Sequence, residues 1–411
     1  MIEELVRLSQ DFIRIYNRDY VRYFLKENRL DNRFSLVEGQ RGVGKTTAII
    51  QYLLASHKND PFTDKALYIQ ADHFLLGGRS LYEIAEEFQH LGGELICLDE
   101  IHKYPDWAAQ LKSINDTFPK LRIIASGSSA LELYRGSHDL SRRAVVYRMN
   151  GMSFREFIEM TQDAAFPSFR LEALLKDHQR ISRDIIGGLE KKGKKVLALF
   201  REYLEYGYYP YFQEYKNKKL FQITLEQMVH TTLESDLIAI HPSLSGASVK
   251  KIKKLLAIIA ASVPFTPDLK NLKTLLDVGD ERTLKTYLKY LEDAGIILTI
   301  SKSGRGLREL EKPEKIYLNN PNLIHAIAGR ALAGVGNIRE TFFLSMTHAL
   351  HKVTSHSQAD FLLDGKYVFE VGGKNKGAEQ IKGAKNAWLA VDNIETGVGN
   401  RIPLWLFGFL Y

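Results

Sequence analysis

Hydrophobic positions along the chain fall into two alternating patterns. Leu5, Leu8, Phe12 and Ile15, then Tyr20, Phe24 and Leu25, recur at helical spacing and predict one or two amphipathic helices within residues 1–33. Short apolar runs at 34–37, 66–71, 95–98 and 123–125 predict buried strands, and helical stretches at 47–55 and about 81–91 lie among them. The second run ends at Asp72, the third at Asp99 and Glu100, and the fourth at Ser126. Strands alternating with helices predict a parallel α/β sheet, in which ligands sit outside the carboxyl ends of the strands.

Further along, residues 151–245 are rich in aromatic and charged side chains. Lys191, Lys192, Lys194 and Lys195 beside Gly187, Gly188 and Gly193 predict an exposed turn or linker. A helix beginning near Phe200 is predicted to stop at Gly207 and Pro210, because glycine accepts positive φ and proline cannot continue. Glu234 and Asp236 read as contacts between helices. Next come a short helix at 269–276, a tight turn at Val278, Gly279 and Asp280, and a helix at 281–294 that Asp280 caps and that buries Leu284, Tyr287, Leu288 and Leu291. Strands at 296–301 and 315–318, around Gly304 and Gly306, predict a β-hairpin. The chain continues with an amphipathic helix at 337–343 and a hairpin of 359–363 and 367–371 about Asp364 and Gly365.

At 411 residues the chain is longer than one hydrophobic core usually serves, so more than one domain is expected. Fifty-six basic against forty-nine acidic residues leave a charge of +7, compatible with anionic partners such as nucleic acid. The single cysteine, Cys97, sits in an apolar run and reads as a core residue, which excludes disulfides within the chain. The acids Glu3 and Glu4 argue against a signal peptide, and the apolar stretch at 255–263 is too short to span a bilayer. A cytoplasmic location with no membrane partner is the expectation.

Chemistry concentrates between the first run and the helix after it. Gly39, Gln40, Arg41, Gly42, Val43, Gly44, Lys45, Thr46 and Thr47 fit a phosphate loop, a glycine followed four residues later by Gly-Lys-Thr, between a strand and a helix. The glycines let successive N–H groups and the positive helix end approach a polyphosphate. Lys45 is expected to reach the β- and γ-phosphates of ATP, and the Thr46 hydroxyl to ligate Mg²⁺. Asp99 and Glu100 have the form of a Walker B strand end, with Asp99 holding Mg²⁺ and Glu100 orienting and deprotonating the attacking water. Ser126 and Ser128 are candidates for a polar sensor of the γ-phosphate, the alternative being a turn that caps the next helix at Ser128 or Ser129. Asp72, at the end of its strand, is a candidate to support from behind the groups that touch the nucleotide. Arg18, Asp19 and Tyr20 read as adenine neighbours or as a solvated helix face. Arg142 and Arg143 are either surface charge or a source of a guanidinium for the transferring phosphoryl group, within the subunit or across an interface.

Taken together, the phosphate loop, the stretch Leu98-Asp99-Glu100-Ile101-His102-Lys103-Tyr104-Pro105-Asp106-Trp107, the Ser126-Gly127-Ser128-Ser129 turn, Ser141-Arg142-Arg143 and Met152-Ser153-Phe154-Arg155-Glu156-Phe157 resemble the predicted ATPases of the AAA+ superfamily, the archaeal-type group. That resemblance implies an arginine facing the nucleotide, here Arg142 or Arg143. It implies an α/β P-loop ATPase domain at 1–160, a helical lid at 161–248, a winged helix-turn-helix domain at 249–322 and an α/β nuclease-like domain at 323–411. In the winged helix, Arg282, Lys285 and Lys289 with Lys302, Arg305 and Arg308 of the wing would suit a DNA backbone, although such modules also serve as protein adaptors.

Glu340, Asp360 and Glu370 resemble the metal-holding acids of the PD-(D/E)XK nucleases, where a lysine two residues past the last acid assists the attacking water. Here Gly372 occupies that position, and Lys374 is the nearest lysine, placed by an extended strand on the same face as Glu370 but farther along. The domain is therefore either a nuclease or a degenerate module that binds DNA or a partner. Three activities follow from these readings: a Mg²⁺-dependent ATPase, a nucleotide-loaded regulatory switch without turnover, and an ATP-gated DNA nuclease. A protein partner or a homo-oligomer fits all three.

Overall fold

The structure, a computed structural model, describes residues 2–127, 140, 142–302, 312–328, 334–377 and 379–411. Ser128, Ser129, Asp139 and Ser141, and Gly304, Arg305, Gly306 and Arg308 of the expected wing, lie outside the described residues. The chain divides into two compact units, Met1–Gly151 with Glu234–Ser243, and Met152–Leu233 with Leu244–Tyr411. This division is coarser than the four segments read from the sequence, and the expected lid segment contributes to both units.

The first unit opens with α1 (Ile2–Tyr16) and α2 (Tyr23–Glu27). Then β1 (Phe34–Glu38), α3 (Lys45–Ser56), β2 (Ala66–Gln70), α4 (Leu81–His90), β3 (Leu95–Asp99), α5 (Trp107–Thr117), β4 (Arg122–Gly127) and β5 (Val145–Arg148) follow. The strands form one parallel sheet in the order β2-β3-β4-β1-β5. Burial explains the apolar runs: Phe34 and Leu36, Ile96 and Leu98, and Ile123 and Ala125 join one core cluster. α4 starts where the sequence stops it from extending backwards, at a reciprocal cap between Ser80 and Glu83. Because β2 is an edge strand, part of its backbone needs other partners, and the Tyr68 N–H donates to the Ser9 hydroxyl of α1 at 2.8 Å.

The strand β5 is absent from the sequence reading. Its Val145 and Val146 are 43% and 45% exposed, so the segment lacks the buried apolar run that marked the other strands. Register carries the functional consequence of this sheet. Val37 stands opposite Ser126 and Gln70 opposite Asp99, which brings the carboxyl ends of β1, β2, β3 and β4 to one edge.

In the second unit, α6 (Phe154–Gln162), α7 (Leu171–Glu190), α8 (Val196–Tyr206) and α9 (Lys218–Thr231) come first. The sequence reading of a turn at Gly187 and Gly188 is corrected here, because α7 runs through both glycines and the turn begins only at Lys191. A Cβ on Gly188 would lie 2.8 Å from the Phe166 ring, so this glycine serves close packing rather than a bend. The helices α10 (Gly246–Ala261), α11 (Leu269–Leu275) and α12 (Glu281–Asp293) then lead to an antiparallel hairpin of β6 (Ile297–Ile300) and β7 (Lys315–Leu318). Asp280 caps α12 by accepting from the Thr283 N–H at 2.7 Å, and the helix buries Leu284, Tyr287, Leu288 and Leu291.

The chain closes with α13 (Val335–His348) and the strands β8 (Val353–Thr354), β9 (Phe361–Leu363), β10 (Tyr367–Gly372), β11 (Ala387–Val391) and β12 (Arg401–Pro403). They form a mixed sheet in the order β12-β11-β10-β9-β8, parallel from β10 to β12 and antiparallel from β10 to β8.

Asn322, fully buried, fastens this unit internally. Its amide donates to the Tyr203 and Leu204 carbonyls at 3.1 and 2.9 Å, and its carbonyl accepts from the Tyr208 N–H at 2.8 Å. Removing it strands buried backbone groups where α8 ends, so Asn322→Ala is expected to cost about 2–4 kcal/mol. Urea unfolding followed by circular dichroism measures this, and an unchanged midpoint would mean that water replaces the amide.

Candidate active site

The phosphate loop gets its shape from its glycines. Gly42 and Gly44 have φ of +81° and +98°, left-handed values that side chains resist, and a Cβ on Gly39 would lie 2.4 Å from the Met149 carbonyl oxygen. Gly44 directly precedes α3, so the positive end of that helix opens on the loop. Buried Arg22 holds the loop from behind, donating to the Val43 and Asn150 carbonyls at 2.5 and 3.1 Å. The Lys45 ammonium folds back to the Gly39 and Gln40 carbonyls at 2.8 and 2.9 Å. Burial lowers its pKa, against the opposing pull of Glu100 and Asp99.

Asp99, buried at the end of β3, is the hub of the site. Its Oδ2 accepts from Thr46 Oγ1 at 2.5 Å and Tyr68 Oη at 2.7 Å; its Oδ1 accepts from the Glu100 N–H at 3.1 Å and from Ser126 Oγ. Glu100 follows in a left-handed conformation, φ +52°. Its Oε2 makes no hydrogen bond and lies 3.6 Å from His102 Nε2 and 3.9 Å from Lys103 Nζ. Burial raises the Glu100 pKa, while Lys45 pulls it down. The hard oxygens of Thr46 and Asp99, side by side, suit Mg²⁺.

Other expected residues are placed as follows. Asp72 pairs with Lys103 at 2.7 Å, and so meets Glu100 through that lysine. Arg143 makes a two-pronged bond to Asp116 on α5, at 2.7 and 2.8 Å, while Arg142 is exposed. The Arg18 and Tyr20 carbonyls accept from Gln51 of α3. The sequence reading of Asp236 as a contact between helices is corrected: its carboxylate, 2% exposed, pairs with Arg41 in the loop at 3.1 Å. Arg22 and Tyr68 have no part in the sequence reading of the site. Only Tyr68 left a trace, a polar tip within an otherwise apolar strand.

A second polar cluster lies in the other unit. Glu340 Oε2 accepts from Tyr317 Oη at 2.9 Å; Asp360 accepts from the Val371 N–H at 2.8 Å and lies 3.9 Å from Lys315; Glu370 pairs with Lys376 at 2.5 Å. Burial raises the pKa of all three acids, and Glu340, with Asp360 beside it, reaches about 7. Lys374, expected beyond Glu370 on an extended strand, is elsewhere, because β10 ends at Gly372 and the chain turns. The Lys374 carbonyl accepts from Arg401 at 2.7 Å, and Lys376 takes the place at the acid. A Cβ on Gly372 would lie 2.5 Å from Lys376 Cγ, so the glycine leaves the room that the lysine stem fills. Among the described residues, no three His, Cys, Asp or Glu side chains converge closely enough to hold a metal ion.

Residues 31–158 match the model of an AAA domain, and residues 197–333 match that of a domain of unknown function (DUF8612). Uncharacterized protein MJ1637 of Methanocaldococcus jannaschii is 27% identical over 377 residues, covering 84% of this chain and 76% of that one. Among solved structures, the Walker-type ATPase PABY2304 of Pyrococcus abyssi aligns with a TM-score of 0.42 and 13% identity, over 74% of this chain and 94% of that one. C. elegans PCH-2 aligns with a TM-score of 0.24 and 14% identity, over 70% and 68%. With the parallel sheet and the loop geometry, the match of residues 31–158 to an AAA domain supports an α/β P-loop fold for this segment. No helix among the described residues is long and apolar enough to cross a membrane.

His102 gives this site a pH signature. Burial lowers its pKa from 6.5 to about 4, with Asp236 opposing the shift. The unfolded chain then binds the extra proton between those values, so stability is full above pH about 6.5 and falls as the pH drops towards about 4. His102→Gln should remove up to about 3 kcal/mol of that loss, read from urea unfolding across this range. Identical pH profiles for the two proteins would contradict a neutral buried imidazole.

Proposed function

We propose that the first unit binds and hydrolyses ATP with Mg²⁺. The observation that carries this reading is the meeting of Thr46, from the phosphate loop, with the Asp99 carboxylate at 2.5 Å, next to Glu100. Loop N–H groups and the α3 terminus receive the phosphates, and Lys45 exchanges its two carbonyl partners for phosphate oxygens. Thr46 and Asp99 would hold Mg²⁺, which would supply charge neutralisation at the phosphates. Glu100 takes the proton of the attacking water; its pKa, raised by burial, makes it a stronger base than a solvated carboxylate. Ser126, whose hydroxyl is committed to Asp99, tunes the metal-holding carboxylate. Arg142, exposed, is the remaining guanidinium of its pair for a phosphoryl group within or across subunits, since Asp116 engages Arg143.

Phosphate release from the wild type and Glu100→Gln tests this assignment. Loss of about 100-fold or more in turnover with nucleotide binding retained is expected, and equal rates would remove Glu100 from the chemistry. Lys45→Ala should abolish nucleotide binding in a fluorescent-nucleotide titration; unchanged affinity would overturn the loop assignment.

Residues 249–322 are read as a winged helix and 323–411 as a nuclease-like domain, with α11, α12 and the β6–β7 hairpin as the DNA- or partner-binding module. Arg282 is exposed on α12, whereas Lys289 is paired with Asp293 at 2.9 Å. Lys376 over Gly372 favours a nuclease ancestry, because it restores a cation beside the last acid. The acids do not form a ready metal site, so we assign no metal-dependent step to them. Plasmid nicking that is lost in both Asp360→Ala and Glu370→Ala would establish an active nuclease, and nicking that survives them would exclude this site.

A further inference from the structure

Arg41 is placed differently from Lys45, the other cation of the loop. It lies two residues after Gly39 and four before Lys45, and its charge acts on both Lys45 and Glu100. In this structure its Nη1 is turned to both oxygens of Asp236, at 3.1 and 3.2 Å. Asp236 arrives on the segment Glu234–Ser243, which returns to the first unit after a long excursion of the chain. Its neighbours Leu237, Ile240 and His241 are buried, and the short helix Leu237–Ile240 packs on the turn Ile101–Lys103 directly after Glu100. A wide π-turn, Thr232–Asp236, precedes it, a geometry that recurs at functional sites.

Thus a third carboxylate, with Asp99 and Glu100, acts on the charge of Lys45, where a polyanion is to be received. We infer that Arg41 reads the terminal phosphate of a nucleoside triphosphate, and that Asp236 holds Arg41 in reserve while that phosphate is missing. This rests on the nucleotide reading above and adds to it a device that distinguishes triphosphate from diphosphate. A guanidinium makes equivalent charge-assisted pairs with a carboxylate and with a phosphoryl group, so it transfers between them without losing hydrogen bonds. A diphosphate has no third phosphoryl group to compete. Once Arg41 leaves, Asp236 is a buried carboxylate without its ion-pair partner, next to new negative charge. Such a group moves towards water, and the segment 234–243 loosens with it.

The test uses the full chain and two readouts, affinity for ATP and ADP in the presence of Mg²⁺ on a Glu100→Gln background, and amide exchange of residues 237–241. ATP should speed exchange in this segment while ADP leaves it slow. Asp236→Asn, close to isosteric, should speed exchange without nucleotide and tighten ATP several-fold. Arg41→Ala should weaken ATP about tenfold, towards the affinity for ADP, and abolish the gain from Asp236→Asn in the double variant. Nucleotide binding with the segment equally protected in the empty, ADP and ATP forms would overturn this inference and leave the loop reading standing. So would an ATP-to-ADP ratio unmoved by Arg41→Ala. Absence of any nucleotide binding would overturn both.

Discussion

A carboxylate buried at a sheet end is the constraint on which the first unit depends. Asp99 is 2% exposed, and desolvating an anion to that degree is tolerated only when hydrogen-bond donors surround it. The donors come from separate elements: Thr46 at the start of α3, Tyr68 on β2, Ser126 at the end of β4 and the Glu100 amide. Satisfying one charge therefore fixes the mutual positions of the loop helix and three strands. Pre-organisation follows, since the oxygens suited to a divalent cation are held by the same bonds that hold the sheet end.

The acids of the second unit obey the opposite logic. Glu340, Asp360 and Glu370 are raised in pKa by burial and are each answered locally, by Tyr317, by Lys315 with the Val371 amide, and by Lys376. Lys315 and Tyr317 belong to β7, whereas Glu340 lies on α13, Asp360 directly before β9 and Glu370 on β10. The hairpin and the mixed sheet are thus joined through their polar side chains, in addition to the Ser355 N–H bond to the Ser301 carbonyl at 3.0 Å. Here charged groups answer one another; at Asp99 the hydrogen bonds come from hydroxyls and a backbone amide.

What could be read from the sequence was what is local. The loop glycines, Lys45, Thr46, Asp99 and Glu100 announce themselves because a strand end, a turn and a helix start adjoin in sequence. The edge strand β5 does not, since half-exposed valines carry no burial signature. Arg22 reaches Val43 and Asn150, and Asp236 reaches Arg41 across 195 residues; no periodicity encodes such pairings. The difference between Lys374 and Lys376 has the same origin. An extended continuation past Glu370 was the simplest expectation, and the two glycines that end β10 turn the chain instead.

The first unit is discontinuous, and this bears on how it is made. Its sheet is complete by Arg148, yet Asp236, Leu237 and Ile240 belong to it and are encoded more than eighty residues later. On the ribosome, the nascent sheet must wait with the Arg41 carboxylate partner and its apolar cover missing while most of the helical part of the other unit emerges. Chain closures of this separation are slow relative to local helix formation. The segment is therefore a late seal on an early-folding domain. Excising a fragment at the boundaries of the AAA match, 31–158, would also discard Ser9 and Arg22, leaving an edge strand without its hydroxyl partner and a phosphate loop without its backing.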